Sequence, residues 1–309
     1  MSHTDPRNAS FDYARLIAVV GIIWFHAKAP GALVGYSGLA FFTVMVVLFA
    51  VPQIMDTRAQ LHRAAPFLRY AAARGQRLLV PWFIASAFYG GLKVLEVIGG
   101  APLKTEFSAE MWITGTALHL WFLPFAFAVC IALWPFGRWV RQIPVQIWSW
   151  LSLICTGVAL IGLACAQTAQ LPVPFAQWVY ACPVVMLGVA FTLCRRNQRQ
   201  TLTVFGIFAC TALALDLTHG LLEVCIASLA LLVCRVFPSQ PSLLATWCAR
   251  ASLTIYLIHP AVMTVIVRGI GVAEGTTLLA LLTTGFSLMI VALWETVTLS
   301  RRSPRVLFS

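Results

Sequence analysis

A chain of 309 residues with 60% hydrophobic and only 10% charged side chains and a mean hydropathy of +0.87 is excluded from the soluble globular class, where about a quarter of residues are charged. Its net charge of +11 would suit a nucleic-acid partner, but the basic residues sort by membrane side instead, as shown below. The composition predicts an all-α, polytopic membrane protein with no nucleic-acid partner.

Windows of about 20 apolar residues predict about ten transmembrane helices, near residues 11–28, 32–55, 78–99, 117–136, 147–168, 176–194, 201–217, 220–237, 251–268 and 276–299. The seventh and eighth are close enough to be a tight hairpin or a re-entrant pair. Threading ten spans from a cytoplasmic N-terminus, with Arg15 at the inner end of the first, places 17 of the 21 basic residues inside. Only Lys28, Lys93, Lys104 and Arg268 fall outside. That is the positive-inside bias, and it puts both termini in the cytoplasm.

The first span is the most informative. Arg15 and His26 stand eleven residues apart in an otherwise apolar run, and eleven steps of about 100° return both side chains to one helix face, about 16 Å apart along the axis. An ionisable group in such a segment is costly and marks function. Arg15 suits an anionic or carbonyl-rich group entering from the cytoplasm. His26 suits a general base, because imidazole titrates nearest neutrality. The bland alternative is that Arg15 snorkels to headgroups while His26 bonds a neighbouring helix. Asp12, about 21 Å from His26 along the helix, is out of its reach and suits an i, i+3 pair with Arg15. Outer-side carboxylates that could orient His26 are Glu96, Asp216 and Glu223. Residues 16–29 also resemble a signal peptide with an Ala27-x-Ala29 cleavage pattern, but Asp12, Arg15, His26 and Pro30 argue that the helix is retained.

Residues 56–77 are arginine-rich, and Ala64, Ala65, Phe67, Leu68, Ala71 and Ala72 suggest an interfacial amphipathic helix. At the mouth of the third span, Arg74 and Arg77 share a helix face ahead of Pro81, a fork suited to phosphate oxygens or to lipid headgroups. His119-Leu-Trp121-Phe122-Leu123 opens the fourth span and reads as an aromatic belt or a pocket wall. Asp216, His219 and Glu223 are metal-ligand types at an outer turn, but their spacing suits a solvated loop, and no metal is expected. Ser252 through His259 places Tyr256 and His259 on one face of the ninth span. The nine cysteines contain no Cys-x-x-Cys and read as helix packing. No extramembrane stretch is long enough for a second domain, so residues 1–309 are expected to form one transmembrane domain.

Together, Arg15-x10-His26, Arg74-x-x-Arg77 with Pro81, the His119–Leu123 segment and the Ser252–His259 segment resemble, in order, the acyltransferase-3 family of integral membrane O-acyltransferases. Where many members read Gly-Val-Asp-x-Phe-Phe-x-x-Ser-Gly-Phe, this chain follows Phe41-Phe42 with Thr43-Val44-Met45, a divergent branch. The resemblance implies about ten helices in the bacterial inner membrane and an acyl-CoA co-substrate, acetyl-CoA first, entering from the cytoplasm with no resident cofactor. It implies an acceptor hydroxyl on exopolysaccharide, lipopolysaccharide or a lipid-linked glycan, with membrane lipid and polysaccharide assembly machinery as partners. His26 would be the catalytic histidine, as base or acyl relay, and Arg15, Arg74 and Arg77 would serve the CoA phosphates and pantetheine. Trp121, Tyr256 and His259 would line the pocket. The competing expectation is a transporter or flippase, since intramembrane charges also suit a substrate pathway.

Overall fold

The computed structural model describes residues 8–55, 66–195 and 197–302. Every regular element among them is helical. Ten helices of 16 residues or more fall on the ten expected spans: α1 (Ser10–His26), α2 (Ala32–Met55), α3 (Pro66–Ile98), α6 (Phe122–Val140), α7 (Val145–Thr168), α8 (Phe175–Leu193), α9 (Gln198–Ala214), α10 (Leu221–Val236), α11 (Leu243–Val265) and α12 (Thr277–Arg302). Two short helices, α4 (Leu103–Glu106) and α5 (Met111–Thr114), and a 3-10 turn (Leu118–Trp121) lie between α3 and α6, and a π-turn (Ile266–Ile270) extends α11.

Seven helices are long and apolar enough to cross a bilayer. The other three, α1, α9 and α10, have 17, 17 and 16 residues, about 24–26 Å at 1.5 Å per residue, somewhat short of a hydrocarbon core of about 30 Å. The expected amphipathic helix over 56–77 is not a separate element. Its residues 56–65 lie outside the described residues, and from Pro66 onward the segment runs unbroken into the third span as the 33-residue α3. Pro66 occupies the first helical position, where a missing N–H costs nothing, and Pro81 is carried inside the helix.

The chain divides into two compact units, Met1–Phe42 with Leu222–Ser309, and Thr43–Leu221. In the first, α1 packs on α11 and α12. Its N-terminal end is anchored to the last turn of α10 and to the segment joining α10 to α11. Ala9 N–H donates to the Ser239 carbonyl (3.0 Å), Ser10 Oγ to Phe237 O (2.6 Å) and Asn8 Nδ2 to Cys234 O (2.7 Å). The opposite end is tied as firmly. Gly275 N–H donates to Ala27 O (2.9 Å), Lys28 pairs with Glu274 at 2.8 Å, and Ala27, Ala29, Ile266, Leu279 and Ala280 bury one another.

The start of α2 crosses α1 at backbone contact. A Cβ added to Gly21 would stand 2.8 Å from Gly35 O, and one added to Gly38 would run into the Ala18 carbonyl. Small residues permit that approach, as in membrane helix pairs generally. An apolar groove of about 920 Å³ follows α1, α2 and α10, lined by Ile17, Gly21, Val34, Ile226 and Val233 among others.

In the second unit α3 packs on α6, and α7, α8 and α9 pack together. Tyr70 donates to Cys130 O (3.3 Å) and its ring meets Trp134 (4.9 Å). Trp82 Nε1 donates to Thr114 O (3.3 Å), and Thr116 Oγ1 to Ser86 O (2.5 Å). These bonds hold the α5 segment on α3. Gly115 makes the turn there with φ of 84°, and a Cβ would stand 2.9 Å from Trp82 Nε1, so only glycine suits it.

Candidate functional site

His26 is the last residue of α1 and is exposed. Its ring centroid lies 5.2 Å from that of His259, tilted by 38°. His259 is fully buried in α11, and its Nδ1 lies 2.8 Å from the carbonyl oxygen of Tyr256. A carbonyl only accepts, so Nδ1 carries the proton and Nε2 of the neutral ring is an acceptor. One turn earlier, the buried Tyr256 ring lies 6.0 Å from the His259 ring. Below it Ser252 Oγ donates to Cys248 O (2.6 Å). The Ser252–His259 motif thus turns its polar side chains to the buried face of α11, and that helix packs on α1.

Arg15 sits three turns down α1 from His26 and pairs with Asp12 at 3.3 Å, the i, i+3 arrangement the spacing predicts. Asp12 is buried while the Arg15 side chain is 26% exposed.

Arg74, Arg77 and Trp121 belong to the second unit. Arg74 donates to Gln53 Oε1 and lies over the Tyr70 ring, 5.2 Å from its centroid. This fixes its stem and leaves the exposed Arg77 one turn later on the same face. Trp121 ends the 3-10 turn, buried in an aromatic cluster with Phe122 (5.9 Å) and Phe125 (5.7 Å). Its neighbour His119 is buried edge-on to Tyr89 at 5.2 Å.

The family model described as an acyltransferase domain matches residues 8–298. The chain belongs to the acyltransferase-3 family. No curated protein and no solved structure matches it. The match covers nearly the whole chain and both units, so this acyltransferase-3 protein is a membrane protein of an acyltransferase family throughout its length.

Of the three carboxylates weighed as partners for His26, Glu96 and Asp216 belong to the second unit and Glu223 to the first. Asp216 is exposed at a left-handed turn with φ of 53°. Glu223 is not in a solvated loop, as the sequence suggested. It is 7% exposed in the first turn of α10, and among the described residues no group of three His, Cys, Asp or Glu side chains could hold a metal ion. The Tyr36 ring stacks on Phe25 at 4.2 Å, and Phe25 meets His26 edge-on at 5.4 Å. Phe25 and Tyr36 were missed in the sequence because each reads as one more aromatic in an apolar run. The signal was Phe25's place beside His26.

Proposed function

We propose that this acyltransferase-3 protein is an O-acyltransferase of the bacterial inner membrane, moving an acyl group from cytoplasmic acyl-CoA to a hydroxyl of exopolysaccharide, lipopolysaccharide or a lipid-linked glycan. Acetyl is the first acyl group to try. All ten long helices cross the membrane in this reading, with both termini cytoplasmic. The observation that carries it is the accessible His26, at the end of the helix that also bears Arg15, set against the buried, oriented His259 of α11.

In the reaction His26 takes the proton of the acceptor hydroxyl. The alkoxide oxygen attacks the thioester carbonyl, a C–O bond forms, the C–S bond breaks, and CoA leaves as thiolate to be reprotonated. General-base catalysis of this kind contributes on the order of 10²–10⁴-fold. Arg15 serves the carbonyl-rich pantetheine, and Arg74 and Arg77 serve the CoA phosphates, for which two guanidiniums one turn apart are suited. Tyr256 and His259 line the pocket, with His259 holding the ring of His26 in place, and Trp121 serves substrate binding. An acyl-histidine relay uses the same residue as nucleophile.

The test is transfer of radiolabelled acetyl from acetyl-CoA into a lipid-linked glycan pool by protein in nanodiscs, with His26→Ala alongside. Label entering glycan only when His26 is present is the expected result. Equal labelling by His26→Ala sinks the catalytic assignment.

A further inference from the structure

We infer that Pro260 is a positioning residue for the reaction: it withholds the usual helical donor from the Tyr256 carbonyl, and this sets the tautomer of His259 beside His26. The consequence for catalysis rests on the O-acyltransferase reading, whereas the tautomer can be measured without it.

A backbone N–H in an α-helix donates to the carbonyl four residues earlier. Pro260 lies inside α11, so the carbonyl opposite it is that of Tyr256. Proline brings no N–H, and its ring crowds the carbonyl it should have bonded. Tyr256 is buried, where a backbone acceptor is costly to leave unbonded. The residue just before the proline supplies the donor. His259 Nδ1 lies 2.8 Å from Tyr256 O, and because that contact needs a proton on Nδ1, it selects one of the two neutral tautomers. With an N–H in place of the proline the carbonyl would already be bonded, and the side chain would gain less from a second bond to it.

The selected tautomer is the one the proposed reaction needs. Nδ1 is tied to α11 itself, so Nε2 carries the lone pair and is the nitrogen left for the neighbouring helix. The ring of His26, on α1, lies 5.2 Å away, centroid to centroid. When His26 takes the proton of the acceptor hydroxyl it becomes an imidazolium, with an N–H donor at each nitrogen. A lone pair beside that cation stabilises it, as a carboxylate does for the histidine of a catalytic triad. The opposite tautomer would turn an N–H toward the cation and oppose its formation. Pro260 acts only through His259 in this scheme.

The experiment reads the ring-nitrogen chemical shifts of histidine-labelled protein in nanodiscs by NMR, for wild type and Pro260→Ala. The His259 signals, among those of six histidines, are identified by their loss in His259→Asn. Acetyl transfer into a lipid-linked glycan pool and acetyl-CoA affinity are measured on the same samples. Alanine favours a helix interior where proline opposes it, so Pro260→Ala is expected to fold and to melt no lower than wild type. Wild-type His259 should carry its proton on Nδ1, and Pro260→Ala should move a large share of it to Nε2. The kcat should fall on the order of tenfold, with acetyl-CoA affinity and acceptor KM within about twofold of wild type. A proton that stays on Nδ1 in Pro260→Ala overturns the inference, and so does a wild-type ring protonated at Nε2 instead. Wild-type kcat in a variant whose tautomer has changed overturns it as well. A wild-type protein that binds acetyl-CoA and acetylates no glycan, with the tautomer as expected and changed in Pro260→Ala, overturns the O-acyltransferase reading and leaves the hold of Pro260 on His259 standing.

Discussion

The imidazole rings of His26 and His259 lie 5.2 Å apart, one exposed at the end of α1 and the other fully buried in α11. Nearly the whole chain separates them, yet each is held independently. His26 is fixed by the clamp of Ala27 and Lys28 onto Glu274 and Gly275, and His259 by its bond to the Tyr256 carbonyl. In the proposed reaction His26 is the base and His259 the neighbour that restricts its orientation.

His259→Ala removes both the neighbour and a buried hydrogen bond. Transfer is expected to fall on the order of tenfold to a hundredfold in kcat, and thermal unfolding to shift by about 1–3 kcal/mol of stability. His259→Asn, whose amide can still donate to the Tyr256 carbonyl, should recover much of the stability without recovering the rate. Recovery of both would show that only the Tyr256 bond matters.

Arg74 and Arg77 form a binding rather than a reacting pair in the proposed mechanism. Arg74→Gln and Arg77→Gln should each raise the acyl-CoA KM by roughly tenfold, about 1.4 kcal/mol, with kcat little changed. Raising salt should weaken wild-type binding more than that of the double variant. A fall in kcat at constant KM would move these arginines from donor binding into the chemical step.

Much of this was legible in the sequence because membrane helices declare themselves by apolar length, and seven of the ten expected spans fall on helices long and apolar enough to cross a bilayer. The Arg15–Asp12 pair was legible because it is local, one helical turn. What the sequence withheld is contact between distant elements. Nothing local links His259 to His26 or Tyr36 to Phe25, and Glu223 read as a loop acid because it follows Gly220 and precedes an apolar run. The amphipathic helix was misjudged for a different reason. An arginine-rich stretch looks like a boundary, whereas its described part, from Pro66, is a continuous turn-by-turn extension of α3.

The crossing of α1 and α2 predicts contrasting glycine substitutions. Gly38→Ala forces a methyl into the Ala18 carbonyl, and with backbone on both sides the helices must part. The expected loss is about 1–3 kcal/mol, as for other overpacked contacts. In α9, Gly206 has open space where its Cβ would stand, so Gly206→Ala should stabilise by roughly 0.5–1 kcal/mol through helix propensity. Thermal unfolding of the two variants in one detergent checks both signs. A Gly38→Ala protein as stable as wild type would mean that the crossing relaxes freely.

Acid should loosen the clamp beside His26. The carboxyl of Glu274 is held below the usual glutamate range by the hydrogen bond from Lys28 and by its charge. A lowered folded-state value means that the pair stabilises fully above the unfolded value, about 4.3. That contribution is lost as pH falls through the folded value. Both side chains are largely exposed, 71% and 59%, so the effect is small and screened by salt. Lys28→Met should therefore melt slightly below wild type at neutral pH in low salt. The two curves should converge below about pH 4, and at neutral pH in about 1 M salt. Glu274→Gln should behave like Lys28→Met, and the double variant should add little to either. A gap that persists in acid would assign the role of Lys28 to packing of its alkyl chain rather than to its charge.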